Sequence, residues 1–402
     1  MSLIVQKFSG SFLSSFNDFV TVANHIIDTV KNGNKVIVVL SAMKGETDLL
    51  IKKAKKITDN PNKKALDILL STGEQQSVAL MSITLASLGY SSETIVGHQI
   101  EIFTNNDYGN ARIMEVGNKK FSNSLLNNDI VLVSGFQGCD YQGNITTLGR
   151  GGSDTTAVVL SATMNADICE IYKDLGGIYT IDPNFSQKTK KIERISYDEM
   201  LEILSSGDRT IQYQAVTYAK RYHVTINLKK LNSKDGTLIK NKDKEMDNND
   251  VTSIVFDNDL ALIIVKSLQN KPGTAAKLFK HISDENIIVD MIVQNKNEDN
   301  KTDVTFSIHK KDYEKALSIT QDSLSEIGAE SVIGDSEIAK ISLIGGGMSV
   351  NCGVATRMFD ALAKEKINIE MISTSDIRIS CIVKAKYAEL AVHVLNSKFE
   401  LA

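Results

Sequence analysis

The chain has no tryptophan, only three prolines and only four cysteines in 402 residues. The cysteines, Cys139, Cys169, Cys352 and Cys381, are scattered through apolar or strand-like contexts. Their spacing matches neither a metal-ligand set nor a disulfide framework, which sets aside a zinc module and a stapled secreted fold. They read as buried free thiols in a reducing cytoplasm. No apolar run reaches the length needed to cross a bilayer. Residues 1–6 lead directly into a strand-like segment, so no signal peptide is expected. A formal net charge of -4, from 45 basic and 49 acidic residues, lacks the positive excess of a nucleic-acid binder.

What is present is a soluble globular composition, 42% hydrophobic and 23% charged, at a length that suggests roughly two to four domains. Residues 3–8 read as a strand broken by Ser9-Gly10-Ser11, and 17–31 carry apolar residues at helical spacing. Residues 35–40 read as a second strand, ending at Ser41 and the turn 44–47. Strand, loop, helix, strand is the rhythm of a parallel sheet covered by helices. In such sheets, loops at the carboxyl ends of strands build the ligand site. Lys7, Gly10, Ser41 and Thr47 all fall at such ends. Residues 66–88 read as helical, with Ser71-Thr72-Gly73-Glu74-Gln75 interrupting the helix or heading its second part.

The most informative stretch is 146–156, between the apolar run 130–133 and a helix expected over 157–166. Gly149, Gly151 and Gly152 allow a backbone to bend closely around a ligand. Ser153 and Asp154 are placed to cap the helix, whose N-terminal turn offers N–H donors and a positive dipole end. Arg150 adds a planar fork suited to a carboxylate or phosphate. One short loop thus combines anion donors, a cation and an acid. After a strand at 168–172, residues 173–183 mix acids, glycines and Tyr179 at another strand end, which suits a nucleotide pocket. Helices follow at 195–206 and up to 221, and 232–249 read as a charged linker and surface loop.

From residue 254 a pattern occurs twice. A strand at 261–266 leads to Gly273 and a helix ending near 285–290. The second copy runs from 338–344 through Asn351-Cys352-Gly353-Val354-Ala355 to a helix ending near 365–370. Strands follow at 303–309 and 377–384. Two units, each strand, helix, strand, strand, helix, strand, are implied.

In order and from end to end, the chain carries a series of motifs. They are Val5-Gln6-Lys7-Phe8 with Gly10, Leu40-Ser41-Ala42-Met43, Ser71 to Gln75, Gly135-Phe136-Gln137-Gly138, the loop 146–156 and Ile195 to Leu201. Met291-Ile292-Val293-Gln294-Asn295 and Ile372-Ser373-Thr374-Ser375 mark the repeats. On these motifs the chain resembles bacterial aspartate kinases of the monofunctional type. The resemblance implies an α/β protein: a three-layer amino-acid-kinase fold with a mainly parallel central sheet over 1–231. A linker at 232–253 and two α+β ferredoxin-like ACT domains, 254–337 and 338–402, would follow. It implies phosphorylation of the L-aspartate side-chain carboxylate to 4-phospho-L-aspartate, using ATP and Mg2+, as the first step towards lysine, threonine and methionine. Feedback by lysine, threonine or both, and a homodimer or higher homo-oligomer through the ACT domains, are implied with it. No nucleic-acid or membrane partner is expected, and the location is cytoplasmic.

Carried over by motif, Lys7 neutralises the transferring phosphoryl group, with Phe8, Ser9 and Gly10 beside it. Glu74 and Thr47 receive the aspartate amino group, Ser41 contacts phosphate, and Arg150 clasps a substrate carboxylate with Gly151 and Gly152 alongside. Ser153 and Asp154 hold the reacting end, Asp154 through magnesium or a water. Lys173, Asp174, Tyr179, Asp182, Pro183, Asn184, Arg209 and Thr210 line the ATP pocket. Ala275, Asp290, Gln294, Asn368, Ile369, Thr374 and Ser375 contact the effector. The chain departs from the family pattern on the nucleotide side. Ser9 and Ser11 replace glycine and threonine, and Phe12 replaces a small polar residue. Lys173 stands for threonine, Asn184 for arginine, Arg209 for lysine, and Tyr213 with Gln214 for proline and arginine. These departures are the support for an alternative, a non-catalytic or weakly active amino-acid-binding subunit with a kinase fold.

Overall fold

The computed structural model describes residues 2–186, 188–242, 250–296, 301–348 and 353–401. The chain divides into two compact units. One comprises Met1–Tyr179, Lys191–Leu204 and Arg209–Asp247; the other comprises Thr180–Lys190, Ser205–Asp208 and Asn248–Ala402.

The first unit is built on an eight-stranded sheet. Its order is Arg194–Ser196, Gly236–Lys240, Ile226–Lys229, Ile168–Tyr172, Leu3–Phe8, Lys35–Leu40, Ile130–Ser134, Glu93–Ile95. All neighbours run parallel except Ile226–Lys229 with Gly236–Lys240. Val36 to Leu40 and Ile130 to Val133 are buried along their whole length, as strands covered on both faces must be. Helix Phe16–Lys31 turns Phe19, Val22, Ala23, Ile26 and Ile27 inward, and its start is secured by Ser15 and Asp18 in a capping box. Those residues join Phe8, Val38, Leu40, Leu132 and Tyr172 in one core.

Leu3–Phe8 sits where the strand order changes direction. Lys35–Leu40 pairs on one side of it and Ile168–Tyr172 on the other. Such a switch point opens a crevice at the carboxyl ends of the strands, where open α/β sheets take their ligands. Lys7, Ser9 and Gly10 lie at that end.

Two expectations need correction. Residues 66–88 belong to one continuous helix, Lys63–Ser87, with Ser71 to Gln75 inside it. The expected linker, 232–253, contains the strand Gly236–Lys240, whose Thr237 and Ile239 are fully buried in the main sheet. Its alternation is only five residues long and is flanked by charges, which masks it; residues 243–249 lie outside the described residues.

The second unit holds two four-stranded antiparallel sheets. One is ordered Val289–Lys296, Lys301–His309, Leu260–Gln269, Ser331–Asp335, and the other Ser253–Asp257, Ile338–Ile344, Arg378–Lys384, Met371–Ser375. Helices Thr274–Asp284 and Tyr313–Asp322 serve the first repeat, and Val354–Lys364 and Ala388–Phe399 the second. The boundary expected at 254 is therefore wrong in one respect. Ser253–Asp257 pairs with Ile338–Ile344 and completes the second repeat, not the first. A short apolar run, Ile254 to Phe256, announces a strand but not its partner. Asn351 and Cys352 of the repeat motif lie outside the described residues; Cys139, Cys169 and Cys381 are free and buried. Leu260, Leu262, Met291, Ile338, Met371 and Ile382 form a small core shared by both repeats.

Candidate active site

Two glycines set the spacing at the head of the crevice. A Cβ on Gly10 would lie 2.5 Å from the carbonyl oxygen of Ala42, and a Cβ on Gly73 would lie 2.9 Å from Ala42 Cβ. The loop after Leu3–Phe8, the loop after Lys35–Leu40 and helix Lys63–Ser87 can meet this closely only without those side chains. Their meeting turns Glu74 inward. Its Oε1 accepts the Ala42 N–H at 3.1 Å, and Oε2 is buried with no hydrogen-bond partner among the described residues. Burial, only partly opposed by the Ala42 N–H and the charge of Lys7, pushes the Glu74 carboxyl up to about 7.

Lys7 is buried and pairs with Asp154 Oδ1 at 2.7 Å. It also donates to Ser9 Oγ at 3.3 Å, and that hydroxyl donates to the Tyr172 carbonyl at 2.7 Å. A second ammonium, Lys173, lies 2.9 Å from Asp154 Oδ2, and the Gln212 N–H reaches the same oxygen at 3.3 Å. Burial lowers the Lys7 ammonium to about 8, the charge of Lys173 adding to it and Asp154 opposing it. Burial would raise Asp154, but Lys173 and Lys7 together hold it at about 2. One carboxylate faces two ammonium groups, so the cluster carries net positive charge. It is built to receive an anion.

The glycine loop differs from expectation. Helix Gly152–Thr163 is capped by Gly151 in a left-handed conformation, φ 81°, with no side-chain cap. Ser153 and Asp154 lie within the first turn and are buried, so Asp154 is available to the lysines instead of the helix end. Gly152 N–H bonds Gly149 O at 3.0 Å and Asp154 N–H bonds Gly151 O at 2.9 Å, which closes a tight turn. Phe8 also differs. Its side chain stacks on Tyr172, centroids 4.7 Å apart, on the core face opposite Lys7, so only its backbone borders the crevice.

Direct contacts therefore join Lys7, Ser9, Asp154 and Lys173, with Glu74 close enough to feel the Lys7 charge. Ser41 N–H bonds Phe8 O at 3.3 Å, and Thr47 stands in the first turn of helix Glu46–Lys55. Arg150 is at the surface. Its side chain is 95% exposed and 4.0 Å from Asp48. Asp174 and Arg209 are exposed, Thr210 is half-buried, and Tyr179 donates to Leu175 O at 3.1 Å. Asp182, Pro183 and Asn184 fall in the second unit, where Asp182 Oδ1 accepts the Asn184 N–H at 2.8 Å. Of the effector set, Ala275 opens helix Thr274–Asp284. Asp290 and Gln294 lie on edge strand Val289–Lys296, Thr374 and Ser375 on edge strand Met371–Ser375, and Asn368 and Ile369 precede the latter.

Two supporting residues were given no role from the sequence: Asp67, which stood in no motif, and Gln137, which stood in one. Asp67, buried in helix Lys63–Ser87, accepts the Thr147 N–H and hydroxyl, each at 2.8 Å, and the Gly109 N–H at 3.0 Å. It thereby anchors the approach to the glycine loop. The Gln137 amide oxygen accepts from Gln75 and from the Gly97 N–H, both at 3.2 Å.

Residues 2–227 match the amino acid kinase family, and 263–324 and 341–399 match the ACT domain. The aspartate kinase of Pseudomonas putida is 44% identical over 403 residues, covering 100% of this chain and 98% of that one. The chain belongs to the aspartate kinase family. The aspartokinase of Helicobacter pylori strain J99 is 40% identical, covering 99% of both. The crystal structure of Clostridium acetobutylicum aspartate kinase, described as an allosteric enzyme, superposes with a TM-score of 0.78. It is 25% identical and covers 98% of this chain and 100% of that one. Among family members of known name at this level of identity the kinase reading holds over the non-catalytic alternative. The α/β unit followed by ACT repeats is the architecture of the family. Among the described residues no helix is long and apolar enough to cross a membrane.

Proposed function

We propose that this chain transfers the γ-phosphoryl group of ATP to the side-chain carboxylate of L-aspartate, giving 4-phospho-L-aspartate. The observation that carries the reading is Glu74 Oε2, a buried acceptor with no hydrogen-bond partner among the described residues, next to a positively charged cluster. A buried carboxylate oxygen is answered most economically by an ammonium donor, and the neighbouring cations answer anions. An amino dicarboxylate and a polyphosphate present that combination.

A carboxylate nucleophile needs no general base, so catalysis reduces to positioning and charge neutralisation. Lys7 is the catalytic residue, offsetting charge on the phosphoryl group in a site where burial strengthens the interaction. Asp154 is a positioning residue that orients Lys7. Glu74 and Thr47 take the substrate amino group; Arg150 closes from the surface on its carboxylate, with Gly151, Gly152 and Ser153 framing the reacting end. Ser41, Ser9 and Gly10 border the phosphates, and Asp174, Tyr179, Arg209 and Thr210 serve the nucleotide. Magnesium enters with the nucleotide, as part of the substrate. Among the described residues no group of three His, Cys, Asp or Glu could hold a metal, and both oxygens of Asp154 face ammonium groups.

Regulation is assigned to the second unit. The effector residues other than Ala275 lie on or beside the outer strands of both sheets, which also expose Ile292 and Ile372. Unpaired strand edges with apolar side chains favour pairing with a second copy, which supports a homodimer formed through this unit. The test is hydroxylamine trapping of the acyl phosphate, with ADP release followed in parallel, using aspartate, glutamate or no acceptor. Hydroxamate is expected with aspartate; a signal at the no-acceptor level refutes the reading. Lysine and threonine, singly and together, are expected to slow the reaction.

A further inference from the structure

The strand alternation that puts Lys7 beside Asp154 puts a second lysine there. Ile168–Tyr172 runs parallel to Leu3–Phe8 with Ile171 opposite Lys7, so Lys173 emerges on the same face. Its backbone N–H is fixed to Lys229 O at 2.9 Å. Side-chain exposure is 4% for Lys7, 1% for Asp154 and 22% for Lys173. Of the three, Lys173 is the one that reaches solvent.

Position in the sheet separates it from the aspartate side. Glu74 is bound to Ala42, beyond the strand Lys35–Leu40, which lies on one flank of Leu3–Phe8. Lys173 follows Ile168–Tyr172 on the other flank. The ammonium receptor and the extra cation therefore stand on opposite sides of Lys7. One carboxylate cannot balance two cations, and a largely buried excess charge is costly until an anion answers it. A compact ammonium on a flexible stem meets a phosphate as a point charge.

We propose that Lys173 is a direct ligand of the nucleotide phosphates, a second cation beside Lys7 in the same site. The proposal rests on the nucleotide reading of the same site given above. The experiment is calorimetric titration of ADP and of adenosine into the full-length protein, Lys173→Thr and Lys173→Arg. A charge-assisted hydrogen bond of this kind corresponds to roughly 10- to 100-fold in affinity. Lys173→Thr is expected to weaken ADP by that factor and adenosine by less than twofold, with Lys173→Arg retaining most ADP affinity. Should Lys173→Thr not fold, Lys173→Gln, of similar length and uncharged, carries the same test. ADP affinity within twofold of wild type overturns the proposal, as does equal weakening of ADP and adenosine, or an effect confined to the KM for aspartate. A wild-type protein that does not bind ADP overturns the nucleotide reading itself, and the proposal with it.

Discussion

Glu74 is predicted to give the reaction an acid limb that an ordinary glutamate would not. It must be ionised to receive an ammonium group, and burial has moved its carboxyl up to about 7. From pH 8 to pH 6 its ionised fraction falls from about nine-tenths to about one-tenth. With ATP saturating, so that phosphate holds Lys7 charged, kcat/KM for aspartate is therefore expected to drop by roughly tenfold across that window. A glutamate at its usual value near 4.5 would leave it flat. Glu74→Gln keeps an acceptor for the Ala42 N–H but loses the charge. It should lower kcat/KM on the order of 100-fold, the cost of about 3 kcal/mol for an unanswered buried partner, and abolish the limb.

Stability should move the opposite way, and the sign follows from linkage. The folded protein holds a proton on Glu74 that the unfolded chain, near 4.5, has released. Stability is therefore present below pH 4.5 and lost as pH rises towards 7, after which the loss is complete. The rise from 4.5 to about 7 corresponds to an upper bound of about 3 kcal/mol. Glu74→Gln carries no such loss, so at pH 8 it should be the more stable protein and the less active one. Chemical denaturation at pH 5 and pH 8, paired with steady-state kinetics over the same range, tests both halves. A Glu74→Gln protein that retains the acid limb, or that is less stable than wild type at pH 8, would refute the reasoning.

Lys7 should supply the basic limb. Its ammonium, lowered to about 8, carries charge below that pH and loses it above. kcat/KM for ATP is thus expected to fall about tenfold per unit well above pH 8, and Lys7→Met should reduce kcat on the order of 1,000-fold. A flat profile to pH 9.5 removes the assignment. Asp67→Ala leaves the buried Thr147 N–H without its acceptor, so stability is expected to fall by about 2–4 kcal/mol with a raised KM for aspartate; a change in denaturation midpoint too small to resolve contradicts the anchoring role. Asp290 accepts the buried Lys340 ammonium at 2.7 Å. Asp290→Asn should raise the amino-acid concentration for half-inhibition by roughly tenfold, about 1.4 kcal/mol of coupling. Unchanged inhibition would take Asp290 out of the effector site.

The parts of this fold that could be read from the chain are those written in local pattern. The apolar runs at Leu3–Phe8, Lys35–Leu40 and Ile130–Ser134 each announced a buried strand, and the repeat announced two similar units. Pairing is a different kind of information. Nothing within Ser253–Asp257 says that its partner lies at Ile338–Ile344, some eighty residues on, and nothing in Gly236–Lys240 says that it enters a sheet. The site divides the same way. Lys7, Asp154 and Lys173 sit in or beside motifs at strand and helix ends, and Glu74 in a motif inside a helix, so they could be named before any coordinates. Their mutual use could not. Asp154 resembled a cap because Asp is a good cap, yet two lysines from strands on either side of a switch point claim it first. Arg150 was expected to clasp a substrate carboxylate, and only the fold shows that it would do so from the surface, where it stands beside Asp48. Asp67 stood in no motif, and only the return of the chain at Thr147 makes it an anchor. The chemistry of single residues is thus legible early, whereas the electrostatics of the site is a property of long-range register. That is why the decisive tests above are pH profiles and charge-specific affinities rather than alanine losses alone.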